Sequence, residues 1–95
     1  MSNGTEGRQD LTVVVHDEDA GGDPFEVHAG QGTPVSTVIE RFYEKLGNGR
    51  QEGDRLYCLA SGQDVFPHAG EHLGDYRDAH CTGLEWGFAR ATGGA

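Results

Sequence analysis

An α+β domain is the fold class that the sequence predicts. Short segments alternate apolar and polar residues at the two-residue period of a strand, and one longer segment carries an apolar stripe at helical spacing. The segments run strand, strand, helix, strand, short strand, strand, so one helix can cover one face of a small sheet. Ninety-five residues make one domain. A chain this short buries only about 60–65% of the surface its unfolded form exposes, so the core must be compact.

Residues 1–10, MSNGTEGRQD, contain no apolar residue after Met1 and read as a flexible leader. LTVVVH follows, β-branched, with Leu11, Val13 and Val15 on one face. DEDAGGDP breaks it with two glycines and a proline. FEVHA then alternates again, Phe25, Val27 and Ala29 inward, Glu26 and His28 outward, which predicts a hairpin with a long loop. Within TPVSTVIERFYEKLGNG, Val35, Val38, Ile39, Phe42 and Leu46 form one helical stripe. Thr33 is the expected cap and Pro34 the expected first helical residue, where its missing N–H costs nothing. Gly47 should stop the helix by entering the left-handed conformation.

After NGRQEGD, the strand RLYCLA places Leu56 and Cys58 on one side and Tyr57 on the other. SGQDVFPHAGEHLGDYRDAHCTG reads as mostly turn, with Val65–Phe66 a minimal strand. LEWGFA closes the domain, Leu84, Trp86 and Phe88 sharing a face.

The net charge of −9 excludes a phosphate-backbone binder, which needs a basic stripe that this chain lacks. It suits steering toward a basic partner surface. No apolar run reaches the ~20 residues of a membrane span, and no signal peptide opens the chain, so the cytoplasm is the expected location. Cys58 and Cys81 could pair, but in a chain without a secretion signal they are expected to be reduced and packed.

The order of elements, with the helix straight after the first hairpin, resembles the β-grasp of ubiquitin-like proteins. DRLYCLASG is similar to the ubiquitin strand that begins Arg-Leu and ends at a turn, and LGDY, Leu73 to Tyr76, resembles its Leu-x-Asp-Tyr turn. LEWGFARATGG resembles the final strand and tail: alternating apolar residues, one arginine, then Gly-Gly. The resemblance spans residues 11–94 and implies a mixed sheet of four to five strands packed on one helix, a β-grasp domain over residues 11–89 and a flexible tail over residues 90–95.

It also implies a function. In such proteins an activating enzyme adenylates the terminal carboxylate and passes it to a cysteine as a thioester. Attack on that carbonyl needs an open approach, and glycine has no Cβ to obstruct it. By this resemblance Gly94 is the covalent attachment point, Gly93 and Gly94 thread the enzyme's channel, and Arg90 helps select that enzyme. Ala95 would then be a one-residue pro-segment, so the processing site lies between Gly94 and Ala95. Lys45, the single lysine, sits on the outer face of the helix, where it is either an ordinary solvated residue or a chain-linkage site.

Two departures matter. The positions matching ubiquitin's exposed aliphatic patch are Tyr57 and Gly87, so that patch is largely gone and readers of it should bind poorly. The arginine-rich, lysine-poor composition together with this divergence is similar to the modifiers of bacterial conjugation operons, which implies an activating enzyme, a conjugating enzyme and a metal-dependent isopeptidase as partners, besides the target proteins. The chain itself is then no enzyme and carries no cofactor, since nucleotide and catalytic cysteines belong to the partners. The alternatives are a β-grasp sulfur carrier ending in a thiocarboxylate, and a non-covalent adaptor with an unused tail.

Other constellations are weaker. Asp17 to Asp23 loosely resembles a calcium loop, but position twelve is His28 and the fifth is glycine, so it reads as a solvated hairpin loop. His68, His72, His80 and Cys81 could be read as a zinc site; a helical His-x3-His is disfavoured by Pro67 and Gly70, and they read as scattered surface histidines. Neither cysteine has a visible general base, and no phosphate-binding glycine loop follows a strand.

Overall fold

Alternation along the strands decides which face of the sheet is covered. β1 (Leu11–Asp17) buries Val13 and Val15, and β2 (Phe25–Ala29) sets Val27 opposite Val13 in an antiparallel pair. The structure, a computed structural model, describes residues 10–18, 21–47 and 49–90. α1 (Val35–Leu46), β3 (Arg55–Cys58), a 3₁₀ turn (Phe66–His68), α2 (Leu73–His80) and β4 (Glu85–Ala89) follow. The four strands form one mixed sheet in the order β2-β1-β4-β3. β1 and β4 run parallel at its centre, with Val15 beside Trp86, and β3 pairs antiparallel with β4. Parallel neighbours need a crossover, and the chain between β1 and β4 supplies it with α1 and α2. This α+β arrangement is compatible with a β-grasp.

α1 lays its stripe on the sheet: Val35, Val38, Ile39 and Phe42 are buried, as their spacing predicts, and Leu46 is partly buried. Phe42 meets Phe25 and Phe88 edge to face, at ring-centroid distances of 5.4 and 4.9 Å. Gly47 ends the helix at φ 88°, its N–H bonded to the Tyr43 carbonyl. Trp86 and Phe88 fill the other side of the core, and Trp86 Nε1–H donates to the Tyr76 hydroxyl at 3.1 Å. Burial pushes the Tyr76 phenol up to about 12, so it stays neutral and available as that acceptor.

Several expectations need correction. Thr33 does not cap α1, and Pro34 is the cap residue instead of the first helical one, in extended conformation. The first N–H groups find backbone partners: Val35 donates to the Glu71 carbonyl at 2.8 Å and Ser36 to that of Ala69 at 2.9 Å. In return Leu73 and Gly74 at the start of α2 donate to the carbonyls of Thr33 and Gln31. The two helix starts thus satisfy each other, which no local pattern could announce.

The stretch read as mostly turn contains α2, and Val65–Phe66 is not a strand. Its place is taken by a single bridge between Tyr57 and Asp64 and by Val65 N–H bonding the Leu56 carbonyl. The sheet therefore has four strands among the described residues. α2 is short and buries only Leu73, Gly74 and Tyr76, too few anchors to print a periodic stripe.

Leu84 precedes β4 instead of opening it. Its φ of 51° is the one positive value at a non-glycine described residue, and its side chain is buried all the same. Left-handed backbone costs a β-carbon-bearing residue roughly 1–2 kcal/mol, which burial of a leucine side chain offsets.

Cys58 and Cys81 are joined as a disulfide across a Cα–Cα distance of 5.9 Å. The expectation of reduced cysteines weighed the absence of a secretion signal. It did not foresee that α2 would deliver Cys81 to the end of β3. No helix among the described residues is long and apolar enough to cross a membrane.

Candidate functional site

The chain emerges from β4 at Arg90, beside the buried carboxylate of Asp54. Asp54 is the one buried charged residue among those described, 8% exposed. A carboxylate withdrawn from water must be paired and hydrogen-bonded. Oδ2 accepts from the Tyr43 hydroxyl at 2.8 Å and the Gln51 N–H at 2.9 Å. Arg90 closes over both oxygens, Nε to Oδ1 at 3.3 Å and Nη2 to Oδ2 at 3.2 Å, and its Nη2 also donates to the Gly49 carbonyl at 3.0 Å. Burial, then the hydrogen bond to Asp54, holds the Tyr43 phenol far above its ordinary value. The Asp54 carboxylate likewise holds the Arg90 guanidinium up.

This network explains why Tyr43, outside the predicted stripe, is buried on α1: its ring packs against Phe42 and Phe88 while its hydroxyl reaches Asp54. It also gives Arg90 work within the domain. The residue expected to be read by an activating enzyme has its guanidinium spread over Asp54 and Gly49, its side chain 21% exposed. Arg90 is the last residue described; Gly93, Gly94 and Ala95, the attachment and processing positions, lie outside the described residues.

Lys45 is exposed near the C-terminal end of α1, in a shallow groove with Glu26, His28, Arg41 and Glu44. Nothing in that setting buries the amine, so it is open to a reagent or an enzyme.

Tyr57 and Gly87 face each other across the β3–β4 pair, as the positions matching the aliphatic patch. The Tyr57 ring lies over Gly87 so closely that a β-carbon there would stand 2.5 Å from Cζ. Arg55 in turn sits over the Tyr57 ring at 5.2 Å. The site is an aromatic lid on a bare backbone. Gly87→Ala should push the half-buried Tyr57 ring outward and lower stability by about 1 kcal/mol. Chemical denaturation checks the size, and an unchanged denaturation midpoint would show that the ring does not rest there.

The zinc candidates separate. His72 turns toward Asp75, 3.9 Å away, and Cys81 is consumed by the disulfide. His68 and His80 meet, with ring centroids 4.0 Å apart, and Glu71 joins them. They are not scattered. Glu71 was not among the candidates, although its spacing of three from His68 was readable; the approach of His80 was not. The N–H of Glu71 bonds the His68 carbonyl, and that turn brings the two side chains to one side. His80 ends α2, one helical turn beyond Tyr76, which lies beside both rings.

No family model matches the chain, and a search of the curated proteins finds no relative.

Proposed function

We propose that the chain is a ubiquitin-like protein modifier with a β-grasp fold, joined to targets through the Gly94 carboxylate. An isopeptidase removes Ala95, an activating enzyme adenylates Gly94, and a thioester relay delivers the acyl group to a target nucleophile. One observation carries the reading most. β4 lies at the centre of the sheet beside its parallel partner β1, is followed at once by an Arg90 clamped onto the domain, and Gly-Gly comes three residues later in the sequence. The anchor gives the segment a defined point of departure, and glycine at the reacting end leaves the carbonyl open to attack.

In this reading Arg90 is first an anchor. What remains for an activating enzyme is the outer edge of the guanidinium and the segment beyond it. The reaction sequence uses ATP, so it belongs to the cytoplasm. The Cys58–Cys81 bond argues for an oxidising setting. Thiol labelling of protein taken directly from cells decides which condition it experiences.

Co-expression with an active metal-dependent isopeptidase, followed by intact mass, tests the reading. The expected product has lost one alanine; an unchanged mass sinks it. Adding the activating and conjugating enzymes with ATP should then give adducts of whole proteins, and deletion of Gly93–Ala95 should abolish them. A mass change of sulfur for oxygen would instead identify a sulfur carrier, and full function after the deletion an adaptor.

A further inference from the structure

We infer that His68, Glu71 and His80 form a binding site for a divalent transition-metal ion, with Zn²⁺ as its occupant. The three side chains come from separate places, the 3₁₀ turn, the loop after it and the last residue of α2, and each can direct one donor atom to a common point. His68 Nδ1 lies 2.7 Å from one Glu71 oxygen and His80 Nε2 lies 3.6 Å from the other. All three donors fall within 4.8 Å of one another. Ligands at zinc bond lengths in a tetrahedron stand about 3.3 Å apart, a spacing that small side-chain rotations reach from separations of at most 4.8 Å.

Two imidazoles and a carboxylate make a donor set that suits zinc and disfavours magnesium or calcium, which prefer oxygen. A carboxylate beside two imidazoles brings negative charge to the group, which a dication complements. The side chains are partly exposed, at 21%, 38% and 27% for His68, Glu71 and His80, so an ion can enter and a water can complete the fourth position. Binding has to part the imidazoles. Rings on one tetrahedral ion have centroids about 5 Å apart, against 4.0 Å here. The backbone around them is held by other means: Glu71 N–H bonds the His68 carbonyl, and the Glu71 carbonyl accepts from Val35 at the start of α1. Occupation would therefore tie the turn to the end of α2, between the disulfide and the start of α1.

The full chain, oxidised and stripped of metal, should bind one Zn²⁺ in calorimetric titration with zinc chloride, and its melting temperature should rise with Zn²⁺. Co²⁺ in its place should give the visible absorption of a tetrahedral ion. His68→Ala and His80→Ala should each weaken Zn²⁺ binding by about 100-fold or more, since loss of even an outer-shell partner costs 10–100-fold. Glu71→Gln should weaken it about 10-fold or more, and His72→Ala should leave it unchanged. If a variant fails to fold, nitrogen NMR of the wild-type rings decides. Zn²⁺ must shift His68 and His80 and leave His72 in place. No binding by the wild-type chain, or binding that survives loss of both His68 and His80, overturns the assignment.

Discussion

Asp54→Ala is expected to lower the unfolding free energy by about 3 kcal/mol, because it takes one shared acceptor from a buried hydroxyl, a backbone N–H and a guanidinium at once. The Tyr43 hydroxyl, 2.8 Å from the carboxylate, is left without an acceptor on a buried side chain, and Arg90 loses both ends of its fork. For a domain of this size the melting point should fall by roughly 15 °C. Urea denaturation measures the change, and a loss under about 1 kcal/mol would mean that the network contributes little beyond packing. Arg90→Ala should destabilise in the same direction, and the double variant should lose less than the sum, since both changes break one interaction. The pair also separates two roles for Arg90 in conjugation. If the guanidinium serves only as an anchor, both variants conjugate equally poorly at a temperature where both are folded. If an activating enzyme reads it directly, Arg90→Ala fails while Asp54→Ala, which keeps the guanidinium, still reacts.

Opening the Cys58–Cys81 disulfide should have an effect of similar size. The bond closes a loop with a sequence separation of 23 residues, for which the loss of unfolded-chain entropy corresponds to about 3 kcal/mol. Both sulfurs belong to the core cluster, so the paired substitution Cys58→Ala and Cys81→Ala adds a packing loss to the entropic one. The oxidised protein should melt roughly 15 °C above the same protein in reductant. Equal melting curves, with mass spectrometry showing two free thiols in both samples, would remove the disulfide from the account. The end of α2 should loosen first on reduction, because Cys81 follows His80 directly and its main link to β3 is then gone. Hydrogen exchange at residues 76–81 would report this.

Much of the fold was legible because its signals are local. β-Branched alternation in LTVVVH and FEVHA, the stripe from Val35 to Phe42 and the left-handed stop at Gly47 are each decided within a few residues. α2 was not legible. LGDYRDAH offers two large apolar anchors, and the helix is held by contacts to residues 31–34 distant in sequence. Thr33 has the residue type of a cap, but the backbone carbonyls of Ala69 and Glu71 occupy the role. Leu84 could not be separated from a strand start, since a buried leucine with positive φ looks the same in sequence as one in a strand.

The candidate sites divide along the same line. The Gly93–Gly94 pair, Lys45 and the Tyr57–Gly87 pair are matters of residue type and alternation, and one strand register suffices to place the last of them. The Arg90–Asp54–Tyr43 network needs three elements at once, with Arg90 and Asp54 36 residues apart. The His68–Glu71–His80 group needs α2 to exist before His80 can reach the turn.

By itself, then, the sequence determined the α+β class, the inward faces of the strands and helix, the acidic net charge and the Gly93–Gly94 pair, because period and composition act over neighbouring residues. Only the tertiary structure decided which polar groups meet: the cross-capped helix starts, the cysteine bridge, the clamped arginine and the paired histidines. Each depends on distances between residues far apart along the chain. Those distances are set by how the buried faces pack, and no local pattern encodes them.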